Sequence, residues 1–308
     1  MISRLRLIRS LFAPAPAAAG PIDLQDEIAA AAARFGAWVG QGRVDACPVA
    51  VESLPGAERA VETLLSTRPG EPLPEAATSD AAAFLGEVVR ALHGGHWGED
   101  PLFGLALLDV GGLPGVRFLP LALVEKKHHL GTGLSWTRFF ETLPARLEGE
   151  RARPMADPGP VLPRLLAGGS PVAAVQRETA AFGRAWQARF GSPLVLSLQG
   201  VRELERFLRS QFFVCGLSPE ALVQAGLFVG EVGRGLFGGE WDLSEAQRTG
   251  EPARIALSWP ELPCYPAGRV LRLMTEQPEG EALDEYLRLI PAARRELRGP
   301  ASGPPSPS

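Results

Sequence analysis

Along the first half of the chain the apolar residues recur mostly at helical spacing, broken by clusters of Pro and Gly. LQDEIAAAAARFGAWV (24–39) predicts a helix with Asp23 as its N-cap and acidic residues in the first turn, where the helix dipole favours them. LPGAERAVETLLS (54–66) is helical by propensity, and the Pro/Gly-rich stretch 68–74 ends it. The next helix is expected to begin near Ser79 or Asp80 and to stop at Gly94-Gly95, a left-handed C-terminal signal. VAV (49–51) reads as a short strand. LFGLALLDV (102–110) and FLPLALVEK (118–126) read as two longer ones, turned by Gly112 to Gly115. SWTRFFETLPARL (135–147) predicts a last helix.

The second half repeats this order. FLGEVVRALHGGHW (84–97) and FVGEVGRGLFGGEW (228–241) are identical at nine of fourteen positions, 144 residues apart. LPGAERAVETLLS aligns without a gap on LQGVRELERFLRS (198–210) at the same offset. With a few insertions FGAW (35–38) falls on FGRAW (182–186), LPLALV (119–124) on YPAGRV (265–270) and FFETLPAR (139–146) on YLRLIPAA (286–293). A unit of this length can bury its own core, so the pattern implies a tandem domain and not a solenoid. The organisation expected is a basic leader with a Pro/Ala spacer (1–20), a first α+β copy (21–150), a Pro/Gly-rich linker (151–170), a second α+β copy (171–297) and a disordered tail (298–308). Each copy is expected to pack several helices on a short, mainly antiparallel sheet.

Composition narrows the function. A net charge of −4 and a pI near 5.7 leave no global attraction to phosphate backbones, and without a local basic patch nucleic acid is not expected as a partner. Three widely spaced cysteines, Cys47, Cys215 and Cys264, form neither a metal knuckle nor a disulfide framework, which points to a reducing, cytoplasmic setting. In MISRLRLIRSLF, Arg4, Arg6 and Arg9 interrupt the apolar run, so stable membrane insertion is not expected; surface contact through residues 1–12 is the alternative.

Candidate chemistry centres on the repeated stretch. Phe84, Leu85, Val88, Val89 and Leu92 share one helical arc that faces the core, with Gly86, Glu87 and Arg90 opposite. A glycine kept at 86 and 230 implies that another backbone approaches there and that Glu87 and Arg90 are partly enclosed. Glu87–Arg90 and Glu231–Arg234 then form either structural ion pairs, the reading we favour, or part of a binding surface. Trp97 and Trp241 each open a strand, as core residues or as walls of a site. His93, His96, His128 and His129 suggest a metal site at first sight. Phe237 and Glu240 replace His93 and His96 in the second copy, and HGGH straddles a helix end, so neither a metal nor a cofactor is expected. The cluster Lys126-Lys127-His128-His129 reads as a solvated strand end. Nucleophile elbows, P-loops and dinucleotide fingerprints are absent from the sequence.

The order of a GE helix, GGxW, a strand and P-x-x-x-V-E-K resembles a family of small bacterial domains of unknown function. Gly86, Glu87, Gly95, Trp97, Pro120, Val124, Glu125 and Lys126 carry it in the first copy; Gly230, Glu231, Gly239, Trp241, Pro266 and Val270 carry it in the second. The resemblance implies an α+β fold, a strand pair whose second member bears the proline, and a bacterial cytoplasmic setting, with no activity attached. The function expected is non-catalytic binding of a protein partner, adaptor or immunity-like, through Glu87, Arg90, His93, His96, Trp97, Glu231, Arg234 and Trp241. The alternative is an enzyme with an active first copy, its site built from Glu87, Arg90, His93 and His96.

Overall fold

The computed structural model describes residues 24–40, 49–67, 73–100, 102–167, 169–276 and 282–298. The expected leader, its spacer, the cap at Asp23, Cys47 and the tail beyond residue 298 lie outside them. The fold is α+β, mostly helical, with two small antiparallel sheets. The chain divides into two compact units: one takes the described residues up to Pro154 together with Phe212–Gly216, the other takes Met155–Gln211 and those from Leu217 onward.

In the first unit α1 (Leu24–Val39), α2 (Leu54–Thr67) and α3 (Glu75–His93) precede a hairpin of β1 (His96–Asp100) and β2 (Gly104–Leu108). β3 (Arg117–Phe118), α4 (Pro120–Leu130) and α5 (Trp136–Ala152) follow, and β4 (Val214–Cys215) completes the sheet in the order β1-β2-β3-β4. α3 is central, with every residue from Ala81 to Val89 buried. Phe84 meets Phe35 of α1 with ring centroids 5.3 Å apart. Asp100 closes the hairpin by accepting from the Leu102 and Phe103 N–H groups and pairs with the buried Arg117 of β3.

Four local expectations are corrected here. Val51–Ser53 is a 3-10 turn and not a strand. α3 begins at Glu75, one turn before the expected cap, because Pro74 supplies an extended entry and the apolar face starts only later. Leu92, assigned to the core arc, is 48% exposed, since the helix outruns its covering elements in its last turn. The largest change concerns FLPLALVEK, of which only Phe118 is strand; Pro120 opens α4, so the proline, Val124, Glu125 and Lys126 of the family resemblance sit on a helix. A short apolar run buried on most sides carries no clear period, and Pro at the first helical turn tips it toward helix.

α4 also removes the expected solvated basic end. Lys127 has no exposed surface: its ammonium donates to Glu58 at 2.8 Å, to Glu62 at 2.5 Å and to the Leu134 carbonyl at 2.6 Å. Glu58 in turn accepts from the Trp136 and Thr137 N–H groups, satisfying donors left open at the start of α5. Burial opposes ionisation of Glu58, but these hydrogen bonds outweigh it and hold the carboxyl below its ordinary range.

The second unit runs α6 (Val161–Leu166), α7 (Pro171–Phe190), α8 (Leu198–Ser210), α9 (Pro219–Phe237), β5 (Glu240–Asp242), α10 (Ser244–Thr249), β6 (Ala256–Trp259), β7 (Leu262–Cys264), α11 (Pro266–Glu276) and α12 (Leu283–Arg298). Its sheet has the order β5-β6-β7. Much of the stretch expected as a linker is structural: Val161 and Leu165 are buried, and Arg164 forks onto Glu178 of α7, which also accepts from Gln224 of α9. Phe182 faces Phe228 at 6.3 Å, as Phe35 faces Phe84.

The structure also shifts the register of one sequence match. In α2 the buried positions are Leu54, Ala57, Glu58 and Val61, and in α8 they include Val201, Leu204, Glu205 and Leu208. Glu205 accepts from the first N–H of α12, at Leu283, as Glu58 does for α5. Glu58 therefore answers to Glu205, three residues off the gapless match, a slide that an amphipathic helix hides because a similar face returns each turn. Arg209 pairs with Glu205 from within α8, and the α11 position matching Lys127 is the buried Leu273. Each unit thus neutralises its capping glutamate with a cation from a different element. Lys127→Leu alone is expected to cost about 3–5 kcal/mol by leaving two carboxylates without their cation. Adding Glu62→Arg, which imports the arrangement of the second unit, is expected to recover most of that loss in urea unfolding. Equal instability of the single and double variants would contradict the assignment.

Candidate functional site

The repeated residues meet around a carboxylate. α3 ends at Gly94, whose N–H caps the Arg90 carbonyl, and Gly94 and Gly95 both hold positive φ, which turns the chain straight into β1. That turn drops the Trp97 indole onto the flank of α3, where its Nε1–H donates to Glu87 Oε1 at 2.8 Å. Arg90, one turn along, donates from Nε and Nη2 to the two oxygens of the same carboxylate at 2.9 and 2.7 Å. Burial works against the Glu87 charge, but the bonds from Arg90 and Trp97 prevail and keep its pKa below the ordinary value.

The second unit holds the same set. Trp241 donates to Glu231 at 2.6 Å, and Arg234 donates to both Glu231 oxygens at 2.7 and 3.0 Å. Glu231 is buried and its pKa is likewise lowered, burial being outweighed by Arg234 and Trp241. The indole also explains the glycine. A Cβ on Gly86 would stand 2.1 Å from the Trp97 ring, and one on Gly230 2.2 Å from the Trp241 ring. The close neighbour expected as backbone is thus a tryptophan ring in both units. Backbone does approach a turn earlier in α9, where a Cβ on Gly226 would fall 2.3 Å from Ala267 Cα.

The histidines are not drawn into this arrangement. His93 is half-buried at the last residue of α3, and burial lowers its pKa. His96 is exposed, its Nδ1 3.7 Å from Asp109. His128 and His129 lie on the last turn of α4, rings 5.2 Å apart, beside a polar groove of about 370 Å³ that Glu62 and Ser66 also line. Among the described residues no group of three or more His, Cys, Asp or Glu is placed to hold a metal ion.

Sequence reasoning missed Glu58, Lys127, Glu205 and the pair Cys264–Tyr286. The contacts that give Glu58, Lys127 and Glu205 their roles, from Lys127 to Glu58 and from the first N–H groups of α5 and α12 to Glu58 and Glu205, span 69 and 78 residues, and no local spacing announces them. Cys264 and Tyr286 sit at a second groove of about 480 Å³, between β7, α11 and α12. Burial raises the pKa of both groups, and they are hydrogen-bonded to each other. The arrangement around Glu87 and Glu231 saturates its carboxylates with fixed donors, which suits it to hold strand to helix. No family model, curated protein or solved structure matches the chain.

Two stability measurements follow. Gly230→Ala should destabilise by about 1–3 kcal/mol through overpacking against Trp241. Gly235→Ala, in the same helix with open space around it, should stabilise by about 0.5–1 kcal/mol. Two effects of the same sign would contradict the indole contact. Glu87→Gln should cost about 1.5–3 kcal/mol at neutral pH. Because the folded pKa of Glu87 lies below the unfolded value of about 4.3, the wild-type advantage is full above that pH and fades as pH falls through the folded pKa. A pH-independent difference between the two proteins would refute the ionised clamp.

Proposed function

We propose that the chain is a non-catalytic protein-binding protein of bacterial, cytoplasmic type, adaptor or immunity-like, built from two copies of one α+β domain. The observation that carries this reading is the division of labour within the repeated stretch. What both halves keep is tied inward: Gly86 and Gly230 under an indole, Glu87 and Glu231 fully engaged by Arg and Trp. What they present outward differs, His96 against Glu240, or is apolar, as at Leu92 and Leu236, which are 48% and 50% exposed at matching positions. Paired, diverged, partly apolar surfaces on a shared scaffold suit recognition of another macromolecule. Duplication is supported by further matches: Pro120 and Pro266 each open a helix, Pro144 and Pro291 each lie inside the last one, and Glu58 and Glu205 each cap it.

A catalytic first copy would require Glu87 and His96 to face a common cavity. Glu87 instead spends its oxygens on Arg90 and Trp97, and His96 stands exposed at the start of β1 beside Asp109. Among the described residues no helix is long and apolar enough to cross a membrane. The test is affinity purification of the tagged full chain from its native host, with Leu92→Arg/Leu236→Arg as the comparison. A stoichiometric protein that co-purifies with the wild type and is depleted from the variant is the expected result. Recovery of the chain alone, or with a bound metal or small molecule in place of a protein, would overturn the proposal.

A further inference from the structure

The pairing of Glu58 and Glu62 with Lys127 leaves one negative charge over. A single ammonium serves two carboxylates, and its three N–H groups are all taken, by Glu58, Glu62 and the Leu134 carbonyl. Lys127 reaches only Oε1 of Glu62. Oε2 accepts from no donor among the described residues, and the Glu62 side chain is 27% exposed. The second unit has no such surplus. With Glu58 answering to Glu205, Glu62 answers to Arg209, whose guanidinium pairs with Glu205 inside α8.

Glu62 opens onto the polar groove of about 370 Å³ beside the histidines, a volume within the ~300–1,000 Å³ of ligand-taking clefts. Two helices end on it: Glu62, Leu65 and Ser66 belong to the last two turns of α2, and His128, His129 and Leu130 to the last turn of α4. Both helix dipoles therefore point their negative ends at the groove. Ser66 gives its hydroxyl proton to the Glu62 carbonyl and keeps its lone pairs for a guest, and Thr132 adds a second hydroxyl. Burial, and then the neighbouring His129, lower the His128 pKa, so that ring is neutral at physiological pH. No lysine or arginine is among the described residues that line the groove. Leu65 and Leu130, the latter 42% exposed, offer an apolar wall.

We propose that this groove takes an arginine side chain of the partner protein, whose guanidinium supplies the first unit with the cation that Arg209 supplies within the second. The inference rests on the binding function and names a site and a chemistry for it. Charge selects the guest: a free carboxylate oxygen and two helix ends attract a cation, and Lys127, fully engaged, has no N–H left to satisfy them. Geometry favours arginine over lysine. The acceptors are spread over a carboxylate, two hydroxyls and helix-end carbonyls, which five N–H donors in one plane span better than a compact, strongly hydrated ammonium does. The methylene stem of the guest lies along Leu65 and Leu130.

The test follows the ring signals of the four histidines by NMR while the full chain is titrated with the capped peptide Gly-Arg-Gly. It is run at about pH 8, above the range in which free histidine titrates. The same peptide with citrulline in place of arginine is the neutral control, and spermidine represents a free polyamine. Saturable shifts at His128 and His129, with His93 and His96 unmoved, are expected for the arginine peptide and not for the citrulline one. Glu62→Gln should weaken binding about ten-fold or more. Ser66→Lys, which brings an ammonium into the groove from an exposed position, should do the same with an unaltered circular dichroism spectrum. No saturation, an equal response to citrulline, or binding undiminished by Ser66→Lys overturns the proposal. So does spermidine shifting the same two histidines at lower concentration, which would make a free polyamine the occupant, or binding that emerges only with Arg68→Ala, which would make it the chain's own Arg68. A native partner that still co-purifies with Ser66→Lys would spare the binding function and refute this site.

Discussion

A carboxylate enclosed between an indole and a guanidinium is the interaction on which both units depend. Glu87 and Glu231 each bind a tryptophan that begins a strand and an arginine one turn along their own helix. The strand is thereby fixed to the helix that precedes it, and the Gly-Gly turn sets the distance. The ring lies so close to the helix that only glycine fits beneath it. Gly, Glu, Arg, Gly-Gly and Trp are therefore one constraint seen five times, which is why both units carry them together while the residues around them differ.

A second constraint acts at the far end of each unit. The last helix begins with open N–H groups that a glutamate from an earlier helix accepts: Glu58 for α5 and Glu205 for α12. Charges this enclosed need a cation, and the halves supply it differently. Lys127 reaches Glu58 and Glu62 from α4 in one; Arg209 reaches Glu205 within α8 in the other, where the buried Leu273 stands at the position that matches Lys127. A buried lysine that looks like a solvated charge in the sequence is thus a local solution to a shared requirement.

How much of this was legible follows from where the partners lie. Helix stops at Gly94 and Gly238, the strands opened by Trp97 and Trp241, and the i, i+3 ion pairs are set by neighbours within a dozen residues, and local spacing reads them correctly. The α4 helix was unreadable because its apolar run is buried on several sides and so lacks a period. Lys127, the two-residue strand β4 and the glutamates that set the register of α2 against α8 depend on contacts with residues roughly 65 to 100 positions away, which no window captures. The role of Gly86 was half-legible: its spacing announced a close neighbour, but only the fold shows that the neighbour is Trp97.

The structure thus separates a shared interior from surfaces free to differ, and the proposed binding role follows from that separation. Its foundation is the pair of enclosed indole–carboxylate bonds. Hydrogen exchange of the indole N–H groups of Trp97 and Trp241, read by NMR on the intact chain, tests it most directly. Both should exchange slowly, on the timescale of the core amides of α3 and α9, and exchange should quicken at the tryptophan of whichever unit has its glutamate replaced by Gln. Rapid exchange of either indole in the wild-type chain, or protection indifferent to the carboxylate, would contradict the account.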